Sequence, residues 1–153
     1  MNRLFITFFY SGLAPKAPGT VGSIAAGIVG FIILQYFHTD TLFLLTILIT
    51  LISIKEIDKY EHISGTHDDK SIVIDEVVGM WLAFILSSGT ITQMLLSFIY
   101  FRIFDIWKPS FIGKIDRDVK GGWGVMGDDI LAGILAGICS AGTWQLINWA
   151  FVA

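Results

Sequence analysis

The sequence predicts an all-α fold, an integral membrane helical bundle of about five apolar helices with a polar site at one face. Three observations predict it. The 153 residues are 54% hydrophobic and 15% charged, with a mean hydropathy of +0.73. A soluble domain of this size has too much surface to cover with so little charge. The apolar residues fall in runs of helical length, separated by short polar or glycine-rich links. The third observation is the placement of charge. All ten lysines and arginines lie near the N-terminus, in Lys55–Lys70 or in Arg102–Lys120. The alternate links, His38–Thr41 and Ser87–Thr90, and the C-terminal end carry none, so the positive-inside rule puts the three basic regions in the cytoplasm. Twelve of the thirteen acids share that side, Asp40 being the exception.

Each element follows in order, within a single domain over residues 1–153. Leu4–Tyr10 is apolar and aromatic but too short to span a bilayer, so it reads as interfacial or packed under the bundle. No small-residue cleavage site precedes Pro15, and no removable leader is expected. Ser11–Ser23 is rich in turn formers. Pro15 and Pro18 keep the approach extended, and Thr20 or Ser23 is expected to cap the helix that follows. That helix, Ile24–Phe37, carries small residues at Ala25, Ala26, Gly27 and Gly30 that permit close helix contact. A second apolar helix runs from the His38–Thr41 link to about Ile54, and Lys55, Glu56, Asp58, Lys59 and Glu61 extend it into water. Gly65–Ser71 breaks the pattern. A third segment, Ile72–Leu86, is apolar except for Asp75 and Glu76 near its start, and Ser87–Thr90 links it to a fourth, Ile91–Ile106. A charged loop then carries Lys108, Lys114, Asp116, Arg117, Asp118 and Lys120. A fifth helix is expected from Asp129 to about Val152, roughly 36 Å long at 1.5 Å per residue and ample for a membrane.

The residues that could carry chemistry gather on the basic side. Asp75-Glu76 and Asp128-Asp129 are two pairs of adjacent carboxylates at expected helix starts, with Asp105 on the same face. Capping and the helix dipole would account for either pair alone. Two pairs plus Asp105 repel one another unless a cation or basic side chains neutralise them. Hard oxygen ligands suit Mg²⁺, which binds through a few carboxylates together with substrate phosphate oxygens. The glycine-rich entry to the first long helix offers backbone N–H groups and the hydroxyls of Thr20 and Ser23 to an anion. It is not a P-loop, because no Gly-Lys-Ser/Thr follows the required spacing. Lys70, Arg102 and Lys108 are candidates to neutralise a phosphate, or else to pair with Asp69 or Asp105. Asp116-Arg117-Asp118 reads as a brace of the loop.

Other chemistries fit poorly. Cys139 is the single cysteine and lies inside an apolar run, which excludes a disulfide framework and a multi-cysteine metal site. No basic, aromatic-interleaved stripe points to nucleic acid. His38 falls on the far side and His62 in a solvated stretch, and a lone His67 beside Asp68-Asp69 is weak evidence for metal or proton transfer. An ion-coupled transporter would place acids near mid-membrane rather than at one face. A noncatalytic lipid-binding scaffold has less need of paired acids.

The blocks APKAPGTVGS, HDDKSIVIDEVVGMW, FRIFDIWKP and DRDVKGGWGVMGDDILAG, in that order across nearly the whole chain, make it resemble the bacterial phosphatidylglycerophosphatase A family. The resemblance implies Mg²⁺-dependent removal of the terminal phosphate of phosphatidylglycerophosphate to give phosphatidylglycerol, at the bacterial inner membrane. It implies roles for Thr20, Ser23, Asp75, Glu76, Arg102, Asp105, Lys108, Asp116, Asp128 and Asp129, with the five acids Asp75, Glu76, Asp105, Asp128 and Asp129 as catalytic and metal-binding groups. After Lys108-Pro109 the family commonly has an aromatic residue and another proline, where this chain has Ser110-Phe111. The expected partners are the lipid substrate and the membrane, and a homo-oligomer is compatible with the sequence. Metal-activated water and an aspartyl-phosphate intermediate both remain open as routes.

Overall fold

The computed structural model describes residues 3–66, 69–87 and 90–152. His67 and Asp68, and two residues of the Ser87–Thr90 link, lie outside them. Among the described residues there are helices and no strands. In chain order they are α1 (Arg3–Ile6), α2 (Pro18–Tyr36), α3 (Thr39–Ser64), α4 (Ile74–Leu86), α5 (Ile91–Trp107), α6 (Phe111–Asp118) and α7 (Gly122–Val152), with a 3-10 turn at Ser11–Leu13.

The bundle is built around α4. Every residue from Ile74 to Trp81 is buried, and α2, α3, α5 and α7 all pack against this helix. The Trp81 indole, deep in the core, donates to the Ala26 carbonyl of α2 at 2.9 Å, so its one polar atom is satisfied. The expected all-helical fold is present, while a membrane crossing by about five helices finds only partial support. By length and composition only α2 and α7 qualify to cross a membrane among the described residues. The third apolar segment is greasy because it is the interior of the bundle. Its 13 residues, about 20 Å of helix, fall short of the ~30 Å hydrocarbon core. Only 22% and 28% of the residues in the most apolar stretches of α2 and α7 are buried, so both helices leave apolar side chains facing outward.

Three boundaries also differ. The first long helix begins at Pro18 rather than Ile24, with Ala17 as its N-cap in a left-handed conformation and no side-chain cap. Neither Thr20 nor Ser23 caps it, because both lie inside the helix that Pro18 opens. The last helix begins at Gly122, seven residues before the expected Asp129. Gly121, at φ 74°, makes the turn into it, and Asp58 from the end of α3 accepts the Gly122 N–H at 2.6 Å. The loop expected between the fourth and fifth helices contains α6, anchored by the buried Ile112. By contrast α5 starts where expected. Thr90 and Gln93 cap its first turn reciprocally, each side chain accepting the other's backbone N–H.

The contact that matters most for the site is between α4 and α7. A Cβ on Gly133 would lie 2.2 Å from the Gly79 carbonyl oxygen, and one on Gly79 would lie 2.7 Å from the Asp129 carbonyl oxygen. Only glycine on both helices permits this approach. Asp75 and Asp129 stand four residues before those glycines, so the crossing brings their backbones together one turn away.

Candidate functional site

The helices α2, α4 and α7 begin, and α3 and α5 end, at one end of the bundle. There they enclose a polar cavity of about 190 Å³ lined by Gly19, Lys70, Asp75, Glu76, Asp105, Lys108, Asp116, Asp128 and Asp129, among others.

Asp75, Glu76 and Asp129 form its floor. Each offers a carboxylate oxygen, and these oxygens all lie within 4.8 Å of one another. One Asp75 oxygen accepts the Glu76 backbone N–H at 3.0 Å, while Glu76 Oε2 is buried with no hydrogen-bond partner among the described residues. Asp129 is 2% exposed. Three carboxylates this close repel strongly unless a positive charge joins them. The nearest fixed charges, Arg102 and Lys108, bond chiefly to Asp105 and to Asp116 and Asp128. Hard oxygen donors, an orphaned buried oxygen and negative charge only partly offset by Arg102 together fit a hard divalent cation such as Mg²⁺.

Arg102 closes the α2 side. Its Nη1 donates to Ser23 Oγ at 3.1 Å and pairs with Asp105, and its Nη2 donates to Thr20 Oγ1 at 3.2 Å. Ser23 Oγ spends its own proton on the Gly19 carbonyl at 2.7 Å, which leaves a lone pair for the guanidinium. Glu76 Oε1 stands 4.0 Å from Nη1, a marginal contact. Thr20 and Ser23 therefore orient an arginine in this structure. The planar fork and the two hydroxyls fix its direction, which a lysine could not reproduce.

Lys108 closes the opposite side. It caps α5 in a left-handed conformation, φ 45° and ψ 58°, where a non-glycine residue costs about 1 kcal/mol. Its ammonium bonds Asp116 on α6 and Asp128 on α7, the latter at 2.7 Å. Burial works against the charged lysine, but the bonds to Asp116 and Asp128 outweigh it and hold its pKa above lysine's ordinary range. Asp128 keeps its second oxygen, Oδ1, buried and without a partner among the described residues. Lys70 also lines the cavity but is exposed and reaches it from the link before α4.

The family model for Phosphatidylglycerophosphatase A matches residues 4–144, a stretch that contains every lining residue of this cavity. The chain belongs to the phosphatidylglycerophosphatase A family. It is 41% identical over 136 residues to Phosphatidylglycerophosphatase A of Escherichia coli (strain K12), an alignment covering 88% of this chain and 78% of the relative. The protein of the same name from Haemophilus influenzae is 39% identical over 135 residues, covering 88% and 83%. A Bacteroides thetaiotaomicron relative, 37% identical and covering 88% of each chain, is named as a candidate phosphatidylinositol-3-phosphatase. No solved structure matches the chain. Membership makes this chain a phosphatase, a hydrolase of phosphate esters.

The acids Asp75, Glu76, Asp105, Asp116, Asp128 and Asp129 and the bases Lys70 and Lys108 line the cavity, and Arg102 joins its edge through Asp105 and the hydroxyls of Thr20 and Ser23. They do not act alike. Asp75, Glu76 and Asp129 converge, Asp105 is held by Arg102, and Asp128 and Asp116 are held by Lys108. Two supports had no mark in the sequence. Asp58 ties down the start of α7 across 64 residues of chain, and Tyr60 donates to Asp69 at 2.7 Å beside the Lys70 link. The Ser71 backbone N–H and that Tyr60 hydroxyl hold the Asp69 pKa below the ordinary carboxylate range. Asp58 falls in the stretch expected to extend α3 into water, and nothing local in the sequence marks either residue's long-range partner.

Proposed function

We propose that this chain hydrolyses the terminal phosphomonoester of phosphatidylglycerophosphate, giving phosphatidylglycerol and inorganic phosphate in a Mg²⁺-dependent reaction. The observation that carries the reading is the convergence of Asp75, Glu76 and Asp129 in one cavity, with Lys108 in its lining and Arg102 against Asp105 at its edge. Those three acids would hold the metal. Bound there, Mg²⁺ supplies a Lewis acid for a phosphoryl oxygen and charge for the developing transition state. The remaining work falls to the chain. Arg102 and Lys108 offset the charge of the phosphate oxygens, and the first turns of α2 and α4 direct their positive dipole ends toward the same place. Asp128, with Oδ1 free of any described donor, accepts a proton from the attacking water. The water oxygen forms the new bond to phosphorus as the ester P–O bond breaks, and the leaving lipid oxygen takes up the proton that Asp128 received, so that one water is consumed and phosphatidylglycerol and phosphate are released.

The chain is further proposed to be a multi-pass protein of the bacterial inner membrane, with the cavity at the cytoplasmic face. The outward apolar surfaces of α2 and α7 and the one-sided distribution of lysine and arginine support this. The Bacteroides relative's name favours a second headgroup, phosphatidylinositol 3-phosphate, as the alternative. The test is phosphate release by the purified protein in detergent, with and without Mg²⁺, from those two lipids and phosphatidic acid. Preferential conversion of phosphatidylglycerophosphate is expected. Preference for either other lipid, or equal release without Mg²⁺, overturns the assignment.

A further inference from the structure

A second, apolar cavity of about 370 Å³ lies outside the polar site, between α2 and α5 with Phe84 of α4 among its lining. Both helices lean on α4 but scarcely touch one another, which leaves the groove open. Its walls are regular. From the Thr20–Arg102 hydrogen bond the α2 wall continues through Ile24, Ile28 and Phe31, and the antiparallel α5 wall through Phe98, Leu95 and Ile91. These positions recur at helical spacing, so each wall is one continuous face. Ile28, Ile91 and Leu95 are more than half exposed, so both walls present open apolar surface to the groove. The groove is therefore polar at one end and apolar thereafter.

We propose that this groove seats an acyl chain of the lipid whose headgroup enters the polar cavity, an inference that rests on the lipid phosphatase reading above. Two features point to an acyl chain. The groove meets the site through Arg102, whose guanidinium closes the polar end while Phe98, one turn away on α5, already lines the apolar part. The α5 wall from Arg102 to Ile91 is about 16 Å long at 1.5 Å per residue. That is half of the ~30 Å hydrocarbon core, the depth of one leaflet. A lipid approaching laterally would keep its tail in this groove while its phosphate reaches Arg102, Lys108 and the acids.

Gly27 gives the test. A Cβ there would sit 3.7 Å from Phe84 Cζ, an ordinary contact, so Gly27→Leu places its remaining atoms in the groove without pressing on backbone. With dihexanoyl and dioleoyl phosphatidylglycerophosphate as paired substrates, Gly27→Leu should lose about tenfold in kcat/KM on the long-chain lipid, mainly through KM, the equivalent of roughly two buried methylenes. The short-chain substrate should be hydrolysed at the wild-type rate. Leu95→Trp, at an exposed position on the facing wall, should give the same split even if Gly27→Leu folds poorly. A binding measurement separates this from the catalytic assignment. Photo-crosslinking of the wild-type protein with a diazirine-acyl phosphatidylglycerophosphate should label 24–31 and 91–98. Unlabelled phosphatidylglycerophosphate should compete for that labelling and phosphatidylcholine should not, whether or not phosphate is released. Equal losses on both substrates, unchanged long-chain kinetics in both variants, or labelling that no lipid displaces would overturn the groove. Displacement only by a second copy of the chain would reassign it as a protein contact.

Discussion

Asp128 and Asp129 are neighbours in sequence yet serve different partners, and their separation follows from helix geometry. Adjacent helical residues point about 100° apart, so Asp128 turns to Lys108 while Asp129 turns to Asp75 and Glu76. The sequence shows that the acids belong to one face but not how they divide, because the division depends on where Lys108 and Arg102 come to rest. Their place in α7 also changes their meaning. With the helix beginning at Gly122 they lie in its second turn, beyond the reach of capping and of most of the dipole. Lys108 then becomes the most informative single side chain. It holds α6 and α7 together through Asp116 and Asp128, in a left-handed position. A guanidinium is wider and planar and does not reproduce a point charge shared by two carboxylates. Lys108→Arg and Lys108→Gln should both reach the membrane but release phosphate poorly, by about 10²-fold in single-turnover measurements. Full activity in the arginine variant would reduce Lys108 to simple interfacial charge.

At the scale of elements, the α4–α7 crossing sets the distance between the acids. Gly133→Ala puts a methyl 2.2 Å from the Gly79 carbonyl oxygen, so the helices must part. Overpacking of this kind costs about 1–3 kcal/mol, and thermal unfolding in detergent should show a lowered Tm. Activity should fall further than stability, since Asp129 moves away from Asp75 and Glu76. An unchanged Tm and turnover would mean that the crossing does not position the site. The long apolar runs of α2 and α5 were legible because runs of apolar residues of helical length mark them locally. The start of α7 and the whole of α6 were not. Gly121, Gly122, Gly124 and Gly127 fall in the stretch expected to be loop, yet of these four only Gly121 turns the chain; the others lie inside α7. The buried role of α4 was likewise invisible, because an apolar run looks the same whether lipid or other helices surround it.

For the whole molecule, the one-sided charge makes a topological prediction. In a Cys139→Ala background, Thr39→Cys should react with an impermeant thiol reagent in intact cells and Lys114→Cys only after lysis. Both positions are exposed in the fold, so accessibility reflects the side of the membrane. The reverse pattern would place the cavity outside. The central claim is that Asp75, Glu76 and Asp129 hold the metal on which hydrolysis depends. Its most direct test is phosphate release from phosphatidylglycerophosphate by wild-type and Asp129→Asn proteins, stripped with EDTA and titrated with Mg²⁺. Wild type should be silent after EDTA and recover with Mg²⁺. The variant should remain at least about 10²-fold slower at saturation and require more Mg²⁺ to reach half its maximum. Wild-type turnover that survives EDTA, or an Asp129→Asn titration that overlays the wild type, would contradict the account.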